Sequence, residues 1–200
     1  MKIQKFENEQ EWLDARLGKI GGTRLKDIIN KRGGSPKIGF YELIAERICL
    51  PATEEGAMDR GQRLEDEAIH KFSERIGKKV SNELVIWHRD ENENIFVSPD
   101  GSIGKTEAVE VKCLSSARHI EAFITKQIPS EFEYQVLQYF IVNDKLKKLY
   151  FVFYDPRMPK DLFWIEVNND KEMKVKVAEY LKLEQEVLKQ VAEWENKLTF

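Results

Sequence analysis

Two cysteines in 200 residues, Cys49 and Cys113, are too few for a disulfide framework, a four-cysteine zinc site or an iron-sulfur cluster. Both are expected to be buried, reduced thiols. The three histidines, His70, His88 and His119, show no metal spacing of the HExxH kind, and each reads as a surface or half-buried polar residue. No stretch approaches the roughly 18 apolar residues of a membrane span, and the charged opening MKIQKFENEQEWL lacks a secretory apolar core. A cytoplasmic protein is expected, with no membrane partner. Internal repeats and low-complexity tracts are missing too. Net charge is only −3, so composition alone does not announce a polyanion binder. What is present is 42% hydrophobic residues, enough for one compact domain with a sizeable core over 1–200.

The charge that is present is unevenly spread. Residues 13–47 hold Arg16, Lys19, Arg24, Lys26, Lys31, Arg32, Lys37 and Arg47 against Asp14, Asp27, Glu42 and Glu46, a basic helical arm within about 1–50. Residues 82–110 reverse the sign, with Glu83, Asp90, Glu91, Glu93, Asp100, Glu107 and Glu110 against Arg89 and Lys105. A basic arm beside an acidic cluster suits phosphate held near cations, because carboxylates face a polyanion only with a cation between them.

Periodicity and capping predict helices over 8–17, from Arg24 to about Lys31, over 38–49 and over 61–76, the last ending at Gly77. On the last of these Ala68, Ile69, Phe72 and Ile76 share a face with Glu65, a carboxylate that needs a partner or a metal there. Strand-like runs follow at 83–88, 94–98 and 107–113, in which Trp87 and Phe96 read as sheet core. Alternation puts Glu110 and Lys112 on one face of the third run, and a hairpin partner would bring Asp100, at a Pro-Asp-Gly turn, beside Glu110. A helix from Ser115 or Ser116 to about Lys126 precedes one over 130–143, where Gln135 lies on an apolar stripe with Phe132, Tyr139 and Val142. Strands at 149–154 and 162–167 and a long helix over about 169–197 complete an α/β chain. That helix carries a stripe from Met173 through Val187 to Leu198, interrupted by Glu184 and expected to pack in the core, with a subunit contact as the alternative.

Pro99-Asp100 and, ten positions on, Glu110-Val111-Lys112 fit the PD-(D/E)XK signature of restriction-endonuclease-like nucleases, a weak motif alone. The chemistry strengthens it. Phosphodiester hydrolysis needs charge stabilisation, an activated water and a cation for the leaving alkoxide, which hard divalent ions on carboxylates supply. Asp100, Glu110 and the Val111 carbonyl are the candidate Mg²⁺ ligands, with Mn²⁺ as the alternative, and Glu65 completes a shell. Lys112 orients the attacking water, and Gln135 holds that lysine or a phosphate.

The chain resembles the lambda-exonuclease or YqaJ-like viral recombinase nucleases of phages and bacteria. The resemblance runs over residues 12–142 through Trp12-Leu-Asp-Ala-Arg16-Leu-Gly18-Lys-Ile20-Gly-Gly-Thr23, Gly61-Gln-Arg-Leu-Glu65, Val97-Ser-Pro-Asp100-Gly, Val109-Glu-Val-Lys112-Cys and Tyr134-Gln135-Val136. It implies a restriction-endonuclease-like core with a central mixed β-sheet flanked by helices. It implies a two-ion site at Glu65, Asp100, Glu110 and Lys112, and a 5′-phosphate pocket at Arg16, Thr23, Ser98 and Arg118; His119, next to Arg118 in sequence, is then close enough to touch DNA. It further implies Mg²⁺-dependent digestion of linear duplex DNA ends, 5′ to 3′, leaving a 3′ single strand for recombination. A homotrimer and a single-strand annealing partner belong to the same inference. Leu137 stands where relatives often carry a second glutamine, which leaves Gln138 without an assigned role. An endonuclease of restriction or repair type, and a catalytically silent fold that only binds DNA, are the alternatives.

Overall fold

The structure, a computed structural model, describes Glu11, residues 37–48 and residues 57–198, the side chains of 47, 57–63 and 190–198 excepted. The helices expected over 8–17 and 24–31, and Cys49, lie outside the described residues. In chain order the elements are α1 (Ile38–Ile48), α2 (Ala57–Ile76), β1 (Trp87–Arg89), β2 (Asn92–Val97), β3 (Gly101–Ile103), β4 (Glu107–Lys112), α3 (Ser116–Thr125), a 3₁₀ turn (Ser130–Phe132), α4 (Glu133–Val142), β5 (Lys148–Tyr154), β6 (Leu162–Asn168) and α5 (Lys171–Leu198). β1 and β2 form a two-stranded sheet; β3-β4-β5-β6 form a four-stranded mixed sheet in that order. The described residues fall into two compact units.

The larger unit takes in Glu65–Val111, Ile128–Val152 and residues from Trp164 onward. α2 begins a turn earlier than its periodicity suggests and ends as expected, Gly77 turning the chain at φ +66° while the Gly77 and Lys78 amides return to Glu74 and Ser73. Ala68, Ile69 and Phe72 are buried, and the Phe72 ring meets Tyr150 at 5.2 Å and Trp164 at 5.3 Å. Burying a phenylalanine of this kind stabilises by about 2 to 3 kcal/mol. β5 reads as an unbroken apolar run because it is an inner strand, covered on both faces, and Leu149 through Tyr154 are all buried.

Three expectations need correction. The run at 83–88 is a strand only from Trp87, since Leu84 and Ile86 stand in solvent. Phe96 points outward and Trp87 is only half-buried, because β1 and β2 form the small sheet, which has a core face on one side alone. The apolar stripe of α5 is half-buried at Met173, Val177 and Tyr180 but exposed at Val187.

The other unit includes α1, Lys112–Gln127 and Phe153–Phe163. Tyr41 of α1 packs on Ala117 and Ile120 of α3, with Ile44, Ala45 and Met158 around them. Ser115 caps α3, its side chain accepting from the Arg118 amide. Cys113 is half-buried rather than fully buried. Among the described residues no helix is long and apolar enough to cross a membrane.

Candidate active site

The geometry of the site starts from a strand that the sequence hides. β3, three residues long, follows the Pro-Asp-Gly turn and pairs antiparallel with β4, Gly101 opposite Val109 and Ile103 opposite Glu107. Continuing that register by one step sets Asp100 against Glu110. The hairpin partner of β4 is therefore this short strand, and not the run before Pro99. Close approach fixes Gly101, because a Cβ there would lie 2.8 Å from Val80 Cγ1 and 3.4 Å from both the Ser81 carbonyl and Val109 Cβ. The Asp100 carboxylate accepts from the Val111 amide at 2.6 Å. In a strand the N–H and C=O of one residue point to the same side, so the Val111 carbonyl is directed to the edge that Asp100 occupies.

Glu110 is 1% exposed, and a buried carboxylate requires donors. α4 supplies them one turn apart. Gln135 Nε2 donates to Glu110 Oε1 at 2.6 Å, and the Tyr139 hydroxyl donates to Oε2 at 2.5 Å. Gln135 thus serves the acid itself. Burial, the charge of Glu110 and the hydrogen bond to it, together with the charge of Asp100, hold the Tyr139 phenol far above its usual range. Trp87 stands edge-on to Tyr139 at 6.5 Å, which closes the outer side of the ring. Asp100, Glu110 and Gln135 are therefore brought together, and Tyr139, four residues on from Gln135, joins them although the sequence reading did not name it as a site residue, because an aromatic on an apolar stripe also reads as core.

Glu65 is half-buried on α2, and Lys112 is half-buried at the end of β4. Among the described residues, no three or more His, Cys, Asp or Glu side chains gather as a metal-holding cluster. Of the residues assigned to a terminal phosphate, Arg16 and Thr23 lie outside the described residues. Ser98 is exposed and donates to the Val85 carbonyl at 2.9 Å. Arg118 is half-buried in the first turn of α3 and donates to Glu121 at 2.6 Å. Gln138 reaches the Phe96 carbonyl at 3.4 Å, a contact that ties α4 to the small sheet. His119 is 1% exposed, edge-on to Phe163 at 4.9 Å, so it is core rather than a surface group.

The family model of the YqaJ-like viral recombinase domain matches residues 11–145. Among solved structures, the chain is similar to an alkaline exonuclease, LHK-Exo, from Laribacter hongkongensis. The TM-score is 0.57, with 26% identity, covering 95% of this chain and 100% of that one. The same exonuclease in complex with dAMP matches at a TM-score of 0.55 and 27% identity, over 92% of this chain and 98% of that one. No curated protein matches.

Proposed function

Because the chain belongs to the YqaJ-like viral recombinase domain family, we propose that it is a metal-dependent deoxyribonuclease that digests linear duplex DNA from its 5′ ends and leaves a 3′ single strand. The observation that carries this is the pairing of Asp100 with Glu110 across β3 and β4, with Glu110 fixed by Gln135 and Tyr139. A buried acid with two directed donors is an expensive arrangement for mere stability, and it suits an acid whose oxygens must stay in place.

The donor set fits a hard divalent ion. Asp100 and Glu110 carboxylates and the Val111 carbonyl are all oxygen ligands of the kind that Mg²⁺ takes, Mn²⁺ being the alternative; Glu65 is the candidate for a second ion. When bound, such ions supply charge stabilisation to the phosphate oxygens and lower the pKa of water. The chain's own part is as follows. Gln135 and Tyr139 hold Glu110 in one rotamer, and the Val111 amide holds Asp100. Lys112 orients the attacking water. The water oxygen joins phosphorus, the P–O3′ bond breaks, and the proton ends on the 3′ oxygen of the departing nucleotide. The shortened strand keeps a 5′-phosphate. Arg16, Thr23, Ser98 and Arg118 are assigned to that phosphate. Family membership extends the same proposal to a homotrimer around the duplex and to a single-strand annealing protein as partner.

Linear duplexes bearing 5′-phosphate or 5′-hydroxyl ends, digested with and without Mg²⁺, test this reading. Asp100→Ala should abolish turnover, and Arg118→Ala should mainly erase the preference for phosphorylated ends. Cleavage of a closed circular duplex at a comparable rate would make the enzyme an endonuclease instead.

A further inference from the structure

α3 is held rigidly, and on the side that matters it carries an acid beside its arginine. At its start the buried Ser116 hydroxyl donates to Asp155 Oδ2 at 2.5 Å, and Asp155, 0% exposed, also takes Arg157 Nε and Nη2 at 2.9 Å each and the Arg157 amide at 3.1 Å. One turn along, His119 Nε2 sits 3.2 Å from the Lys160 carbonyl, so α3 is tied to the 155–160 loop at two points. Arg118 and Glu121 stand three residues apart on a partly open stripe, 43% and 27% exposed, with Nη1 to Oε2 at 2.6 Å.

We propose that Glu121 is a built-in rival of the DNA terminal phosphate for the Arg118 guanidinium, and that it sets how tightly a phosphorylated end is held. This rests on the assignment of Arg118 to that phosphate. A guanidinium binds phosphate by a two-pronged fork of N–H groups, and here one prong is already given to a carboxylate. An arriving phosphate must displace Glu121 or lie within a few ångströms of it, against like-charge repulsion. The rivalry has a use. Hydrolysis at P–O3′ regenerates a 5′-phosphate at every step, so a pocket that bound it without competition would retain the end that must next move. Glu121 keeps Arg118 extended and ready while making release fast.

Binding without cleavage isolates the effect. In an Asp100→Ala background, duplexes with 5′-phosphate and 5′-hydroxyl ends are titrated by fluorescence anisotropy, and the ratio of the two dissociation constants is read for Glu121, Glu121→Gln, Arg118→Ala and the double variant. Glutamine keeps the length and an acceptor oxygen but removes the charge. Glu121→Gln should raise the preference for phosphorylated ends roughly three- to tenfold, and the same change beside Arg118→Ala should do nothing to the ratio. In the active enzyme, Glu121→Gln should slow the rate per nucleotide on a long duplex. An unchanged ratio, with Arg118→Ala still erasing the preference, overturns the role of Glu121 while leaving Arg118 in place. If Arg118→Ala leaves the preference intact, the assignment of Arg118 fails first and Glu121 with it. A rise that persists without Arg118 reduces the effect to general surface charge and also overturns the proposal.

Discussion

Tyr139 holds Glu110 through a single oxygen, which makes Tyr139→Phe an informative change: the ring stays and only the donor goes. Leaving one oxygen of a buried carboxylate without its donor costs about 1 to 3 kcal/mol, readable as a lower urea midpoint with an unchanged slope. Turnover on linear duplex should fall at least tenfold while the KM for ends changes little, the signature of an acid that is present but loosely aimed. Asp155 gives a pH prediction. Burial alone would raise its pKa, but the hydrogen bonds from Arg157 and Ser116 outweigh burial and hold it below the ordinary carboxylate value. A depressed value means stability that is complete above the unfolded pKa of about 4 and is lost as pH falls through the folded one. Asp155→Asn should therefore lower stability at pH 7 by about 2 to 4 kcal/mol and flatten the loss below about pH 4, seen in urea midpoints across that range.

Elements differ in how clearly the sequence announces them. α3, β5 and β6 lie within a residue or two of the runs that announce them, and α4 with the 3₁₀ turn ahead of it fills 130–142, because each has a full helical turn or a long apolar run to display and a capping or breaking residue at its edge. β3 has neither. Three residues beginning with glycine carry no alternation, and what makes them a strand is the neighbouring backbone, which the Ser81–Ser102 amide pair and the register against β4 reveal only in three dimensions. The carboxylate pair was legible even so, since strand period two and a turn at Asp100 suffice to set it near Glu110. The Ser116–Asp155 bond was not, because its ends are 39 residues apart and a serine in a first helical turn reads as a cap. At this scale Gly101→Ala is the test. The added methyl meets Val80 at 2.8 Å, so the variant should lose about 1 to 3 kcal/mol and displace Asp100, with turnover falling accordingly. Val80→Ala in the same chain should restore part of both, measured by thermal melts and by digestion of linear duplex.

For the whole molecule, fold and family could be read from ordered blocks along the chain, whereas the residues proposed for a terminal phosphate could be named but not gathered: Arg16 and Thr23 lie outside the described residues, Ser98 is engaged by Val85, and Arg118 by Glu121. Metal binding has a readout independent of catalysis. If Asp100 and Glu110 hold Mg²⁺ in the folded chain only, millimolar Mg²⁺ should raise the melting temperature by a few degrees, chelation should reverse it, and Asp100→Asn should abolish it.

The small β1–β2 sheet has two strands, and two strands alone are marginal in water; its ties within its unit include Gln138, Arg89 and the edge of Trp87 on Tyr139. From the last residue of β2 only Ser98 and Pro99 separate it from Asp100. Amide hydrogens of Asn92–Val97 should consequently exchange faster than those of β5, and each opening of that ladder slackens the chain on the N-terminal side of the aspartate, while β3 and the Val111 amide hold the other side. A peripheral hairpin thereby sets a ceiling on how constantly the enzyme is armed.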